Sequence, residues 1–197
     1  MKKCLLVLVI TSLLIAALPV ALAQDEMLDK TYVSQDSLFT FDYPGEWKFA
    51  VDMDGTAVVW NKDTTVYVYG PEQVAGRDWG TGGPVVMVER IMARWGKDGD
   101  EVSAAQELDN APRAAAMGYY VHDAYPGLLM IIELSDGALG GIEAVGNQGE
   151  RVILGQDTAL AIAESLDVMP GASYEMSTGD LNSAWLDAVN ELASGSN

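Results

Sequence analysis

The sequence predicts an α+β fold in which an antiparallel sheet carries helices packed against it. Three observations predict this. Residues 38–60, LFTFDYPGEWKFAVDMDGTAVVW, alternate apolar and polar side chains around two turn signals. Residues 128–134, LLMIIEL, form an apolar run of the length of one buried strand, closed by Ser135-Asp136-Gly137. Residues 158–166 and 181–193 instead repeat apolar side chains at three- and four-residue spacing, the period of a helix with one buried face.

The first element in the chain is a secretory leader, residues 1–23. Lys2 and Lys3 supply a charged start, residues 5–17 an apolar run broken only by Thr11 and Ser12, and Ala21-Leu22-Ala23 a small-x-small cleavage site. The run is shorter than the ~20 residues a spanning helix needs. Cleavage after Ala23 is therefore expected, with a secreted or cell-envelope product and no stable membrane insertion afterwards. The single Cys, Cys4, lies ahead of the apolar run and leaves with the leader. The mature chain then has no disulfide, thiolate nucleophile or Cys metal site.

Residues 24–37 read as an N-terminal tail, polar over 24–30, with a short edge strand over 31–34. The domain itself is read over 38–168. In its opening meander Phe39, Phe41 and Tyr43 share one strand face, and Trp47, Phe49 and Val51 share the next, with Lys48 and Asp52 opposite. Pro44-Gly45 suits the centre of a type II turn, and Asp54-Gly55 suits a primed hairpin turn. Strands are expected over 56–60 and 65–69, joined by a turn at 61–64, with Gly70-Pro71 ending the second. Residues 72–84 are a Gly-rich loop without the spacing of a phosphate loop, and Trp79 within it caps the core edge.

Residues 85–95, VVMVERIMARW, carry two patterns at once. Val86 and Val88 alternate with Val85 and Met87, whereas Val88, Ile91, Met92 and Trp95 have helical spacing; a strand over 85–90 is the favoured reading. Residues 97–101 are a charged loop, and 102–107 a helical turn. Residues 113–117 are Ala-rich and helix-friendly, while 119–121 are strand-like. Residues 128–134 are a central strand, and 140–145 pair back on it with a bulge at the glycines. Asp157 caps a helix over 158–166 with a stripe of Ala159, Ile162, Ala163 and Leu166, and Glu164 facing out. A linker over 169–180 precedes a last amphipathic helix, 181–193, whose stripe is Leu181, Ala184, Trp185, Ala188, Val189 and Leu192. A helix of that length is marginal alone, so it folds back on the domain or docks on a partner, and folding back is expected.

Phe41, Tyr43, Pro44 and Trp47, then Trp60-Asn61-Lys62-Asp63 and Val66-Tyr67-Val68, resemble the pattern of the PsbP-like superfamily, with a looser match over residues 111–166. This resemblance implies an α/β/α sandwich of PsbP-like type and a non-catalytic role in binding or assembly. The chain departs from the family pattern over residues 96–110, where no full-length helix is read. No residue role transfers with it.

The formal charge is −18 for the whole chain. Without the two lysines of the leader, 9 basic face 29 acidic side chains, a charge of −20. Nucleic acid and anionic membranes would be repelled, and a solvated acidic surface is the simplest reading. His122 is the sole His, and no H-E-x-x-H or G-x-S-x-G is present. It reads as a strand end before a turn at Tyr125-Pro126-Gly127. Asp52-x-Asp54-Gly55 resembles a fragment of a calcium loop but lacks a third ligand at Thr56 and a distal Glu. Asp98, Asp100 and Glu101 read as a solvated loop, and Trp79, Trp95 and Trp185 as buried aromatics. No catalytic, cofactor or metal residue is assigned, and no cofactor is expected. The expected role is non-enzymatic binding of a protein or other ligand outside the cytoplasm. The rival readings are a carboxylate-dependent hydrolase, which needs two acids across a cleft, and a weak cation-binding structural protein.

Overall fold

The computed structural model describes residues 27–35, 38–109, 111–147, 153 and 155–169. Residues 1–23, expected as a leader, and residues 170–193, expected as a linker and helix, lie outside the described residues.

Two antiparallel sheets are present among the described residues. β1 (Leu28–Val33) and β11 (Asp167–Val168) flank β2 (Phe39–Pro44) in a three-stranded sheet. The larger sheet has eight strands. Its order is β3 (Lys48–Val51), β4 (Ala57–Trp60), β5 (Thr64–Tyr69), β10 (Leu139–Gly146), β9 (Tyr125–Glu133), β8 (Ala115–His122) and β6 (Glu101–Val102), with β7 (Gln106–Glu107) also on β8. Among the described residues three helices join these sheets: α1 (Pro71–Gly76), α2 (Pro84–Asp98) and α3 (Gln156–Ser165). The fold is mixed α+β with strands predominating, as expected. One face of the main sheet packs on α3 and the small sheet; the other packs on α1 and α2.

Residues 38–69 contain strands and no helix. The meander, however, begins one strand later than the alternation implies. Pro44 accepts a hydrogen bond from Trp47 N–H at 3.0 Å, yet β2 and β3 do not pair; each joins a different sheet. Packing explains the separation. The apolar rows of the two strands meet face to face, with Tyr43 stacked on Phe49 at 5.4 Å and Tyr32 against Phe49 at 5.0 Å. Side-by-side pairing would point both rows at one neighbour and bury less carbon. Phe39, Phe41 and Trp47 are buried, Tyr43 and Phe49 half-buried, and Lys48 and Asp52 exposed. Val51, expected inside, is exposed because β3 is the edge strand and ends there. At Asp54-Gly55 the turn is longer than a two-residue primed one: Gly55 (φ +81°) donates to Asp52 C=O at 3.0 Å. The tail is shorter than its polarity implied, since Leu28, Asp29 and Lys30 already belong to β1.

The strand expected over 85–90 is a helix, the start of α2. Pro84 opens it after extended Gly83, and it runs for 15 residues, too long for a strand. Its helical stripe decides the outcome: Met87, Val88, Ile91 and Met92 are buried on β8 and β9, while Val86, Glu89 and Arg90 face water. Helical cover for this face therefore comes from before residue 99, ahead of the stretch where none was read. The charged stretch at 97–101 is the end of α2 and the start of β6. The helical turn expected over 102–107 is replaced by the short strands β6 and β7, which satisfy the outer edge of β8. The Ala-rich run likewise becomes strand, because Ala115 and Ala116 pair with Ile132 and Ile131; helix propensity is a weak bias against a full ladder.

β9 is central, between β10 and β8. The expected turn at Tyr125-Pro126-Gly127 lies instead at Asp123-Ala124, both with positive φ, and Tyr125 begins β9 opposite His122. A two-residue primed turn requires that geometry at both positions. No bulge interrupts β10, whose register is continuous with both β9 and β5. The N-cap of α3 is Gly155, not Asp157, which sits in the first turn where its charge suits the helix dipole. Ala159, Ile162, Ala163 and Leu166 are buried and Glu164 exposed, as expected. Arg113 closes the far end of α3, donating to Glu164 and Leu166 carbonyls at 3.0 and 2.8 Å.

Candidate functional site

Two places collect chemistry-bearing side chains. The first is internal. β10 presents Glu143 to the α1/α2 face, opposite Tyr67 on β5 and Leu129 on β9. Tyr69 Oη donates to Glu143 Oε2 at 2.7 Å, and Tyr120 Oη donates to Oε1. Burial, and then the Glu143 charge, push both phenols well above the usual tyrosine range. Tyr120 can lie across β9 because Gly127 is beneath it; a Cβ there would sit 2.0 Å from the ring. Trp95 of α2 packs edge-on against Tyr120 at 4.6 Å, and Trp79 against Tyr69 at 5.3 Å. Arg77 lies over the Tyr69 ring at 4.4 Å and pairs with Asp54 at 3.4 Å. Both carboxylate oxygens of Glu143 are thus occupied by protonated donors. The arrangement orients α1 and α2 on the sheet, with one phenol donor on each carboxylate oxygen.

Sequence reasoning did not single out Glu143. The available signal was its parity: on β10 it alternates with Ile142 and Ala144, which are buried on the opposite face. An acid placed in the row of Gly141 and Val145, under helices, needs partners.

The second place is an open groove of about 430 Å³ at the β6 edge. Val102, Val121, Pro126 and Ile153 make it apolar; Glu101, Ser103 and Gln156 make its polar part. Gln156 Nε2 donates to Tyr119 Oη at 3.0 Å, and Ser103 Oγ accepts from Tyr119 N–H at 2.9 Å. Beside it stands His122. Its Nδ1 is 2.6 Å from Asp100, and its Nε2 3.5 Å from Asp123. The hydrogen bond that the imidazole donates to Asp100, with the charges of Asp100 and Asp123, raises its pKa. Val102 and Tyr125 are exposed nearby, 38% and 47% respectively.

The structure therefore brings Asp100 to His122 and Glu101 to the groove, while Asp98 closes α2. Asp52 and Asp54 stay apart from this cluster and serve their own turn. Asp52 accepts from Met53 N–H and Asp54 from Thr56 N–H, each at 2.9 Å. Burial works against the Asp54 charge, but the Thr56 hydrogen bonds and Arg77 hold its carboxyl below the usual range. Among the described residues no group of three or more His, Cys, Asp or Glu side chains is placed to hold a metal ion. The Gly-rich loop is tied to α2: Arg90 donates to Thr81 C=O and Arg94 to Asp78 C=O, both at 3.2 Å. Trp79 is buried and Trp95 half-buried; Trp185 lies outside the described residues.

No protein-family model and no curated protein matches the chain. Its fold is similar to the solution structure of cyanobacterial PsbP (CyanoP) from Synechocystis sp. PCC 6803. Identity is 13% and the TM-score 0.45, over 71% of this chain and 91% of that one. A crystal structure from Bacteroides thetaiotaomicron is similar at 12% identity and a TM-score of 0.39, over 72% of this chain and 49% of the other. The likeness concerns the fold alone and assigns no residue a role.

Proposed function

We propose that this chain is an exported, non-catalytic domain that binds a protein or other ligand outside the cytoplasm, through the groove at the β6 edge. One observation carries the reading. The groove is open, apolar on one side and lined, among the described residues, by a single carboxylate, Glu101, with exposed Val102 and Tyr125 beside it. A carboxylate-dependent hydrolase needs a pair of acids facing one another across a cleft. The half-buried acid Glu143 accepts hydrogen bonds from two phenols, Tyr69 and Tyr120. Apolar surface rimmed by polar groups is what a partner covers.

The test is capture of the mature protein from its own cell envelope, with a photo-crosslinker in place of Tyr125. A partner crosslinked there, and lost with Val102→Glu, supports the reading. Hydrolysis of model esters or glycosides that disappears with Glu101→Gln would replace it with the enzymatic one. The cation reading rests on the acidic sequence around Asp98, Asp100 and Glu101, which among the described residues forms no metal-holding group. A calcium titration tests it, because an ion bound only by the native state must raise the melting midpoint.

A further inference from the structure

The strand register sets the groove lining in rows on one face of the sheet. Glu101 on β6, Val121 on β8 and Pro126 on β9 stand side by side, because Glu101 pairs with Val121 and Val121 with Pro126. Ser103 and Tyr119, two residues along, make the next row, joined by the Ser103 N–H to Tyr119 C=O bond at 2.8 Å. Pro126 and Ile153 are buried, Tyr119 and Val121 half-buried, and Glu101 stands exposed at the rim. β6 ends the sheet, so among the described residues no strand lies along its outer backbone edge. A free strand edge accepts an extended polypeptide by main-chain pairing, and the period of two then sets alternate side chains of that polypeptide on the Glu101 face.

Charge selects among extended segments. Residues 98–150 hold ten acidic side chains and one basic, Arg113. Arg113 is engaged by Asp167 at 3.0 Å and by the Glu164 and Leu166 carbonyls at the end of α3. Basic side chains gather elsewhere: Arg77, Arg90, Arg94 and Lys97 all fall within residues 77–97. At the groove, Asp100 precedes Glu101 in the chain, and exposed Asp123 follows the β8 end that carries Val121. Asp100 and Asp123 flank the His122 ring, whereas Glu101 has no Lys, Arg or His partner among the described residues. Such a rim attracts a lysine or arginine and repels an acidic segment.

Resting on the groove reading above, we infer that the groove takes an extended polypeptide segment bearing a lysine or arginine, its cation on Glu101 and an adjoining apolar side chain against Val121 and Pro126. The test is selection of random heptapeptides on the full chain at low salt, scored by loss of binding to Val121→Ser. Selected peptides are expected to carry lysine or arginine beside apolar residues. Their affinity should fall about two- to fivefold with Glu101→Gln and with Asp123→Asn, and the differences should close in about 1 M salt. Asp136→Asn removes the same charge beyond the other end of β9, about 27 Å away by strand rise, and should leave affinity unchanged. Peptides that need Val121 yet are neutral or acidic, or that ignore Glu101→Gln, keep the groove as a binding site and overturn the cationic class. Equal losses with Asp136→Asn overturn it as attraction to net charge alone. Self-association abolished by Arg90→Ala/Arg94→Ala and by Glu101→Gln gives the groove to a second copy. Selection that yields no peptide dependent on Val121 or Glu101 removes the groove reading itself, and this inference with it.

Discussion

Under α3 and the small sheet, the main sheet is closed by apolar side chains: Phe39, Phe41, Val59, Ile132, Ile142, Ile162 and Leu166 are all at most 3% exposed. Under α1 and α2 the closure includes a carboxylate and two phenols, with Arg77 and two indoles around them. The first face is held by non-directional burial, which scales with area and tolerates conservative swaps of similar volume. The second face depends on directional bonds that fail as a set, because each donor left alone in a buried site is costly. The comparison separates stability from placement. One face keeps the domain folded; the other fixes where two helices sit, and hence how far they extend over the sheet.

The largest effect should come from the apolar face. Phe41→Ala is expected to cost about 3–5 kcal/mol, read from urea unfolding, since the ring is 1% exposed. Should Glu143→Leu cost more than this, the assignment of stability to the apolar face is reversed. Glu143→Leu leaves Tyr69 and Tyr120 without acceptors and is expected to cost about 2–3 kcal/mol. Glu143→Gln, which keeps an acceptor oxygen, should cost less, and the near-ultraviolet dichroism of Trp79 and Trp95 should change more in the Leu variant than in Phe41→Ala.

A titration sharpens the contrast further. The folded phenols of Tyr69 and Tyr120 ionise above the unfolded value of ~10. Their contribution is therefore complete below pH ~10 and is lost as pH rises beyond it, because the unfolded chain then binds fewer protons. Unfolding midpoints from pH 9 upward should fall in the parent, and fall less in a Tyr69→Phe/Tyr120→Phe double variant. An equal slope in both would remove the network from the account.

The smallest effect belongs to His122, which is exposed. Its folded pKa is raised by Asp100, so its stabilising pair is fully present below the unfolded value of ~6.5 and fades as pH rises through the folded one. Melting of His122→Ala should lie slightly below the parent in mild acid and converge with it in mild alkali. A constant difference across that range would mean packing, not charge.

Part of the fold was legible along the chain. Residues 38–69 alternate with period two, and they are strands. LLMIIEL is too apolar for an edge, and it lies in the middle of the sheet. The α3 stripe was readable to the residue, while its cap was not: Asp157 has the chemistry of a cap, but Gly155 has the backbone. The candidate site was less visible. His122 and Glu101 stood out by type, yet their proximity depends on β6 pairing with β8, which places Glu101 opposite Val121.

What the sequence determined by itself is everything set by neighbours within one window. Side-chain alternation specifies a strand, i, i+3, i+4 spacing a helix face, and Ser135-Asp136-Gly137 a turn, because each rests on backbone geometry over a few residues. Tertiary structure alone decided where those elements went. Residues 85–90 satisfied both periods, and only burial of Met87, Val88, Ile91 and Met92 against β8 and β9 chose the helix. β2 had the pattern of a hairpin arm, and only the ring contacts across the layers sent it to another sheet. Glu143 meets Tyr69 across 74 positions and Tyr120 across 23. No local preference encodes such a meeting; it exists because strands distant in sequence come to pair at a ~4.8 Å spacing and face the same side.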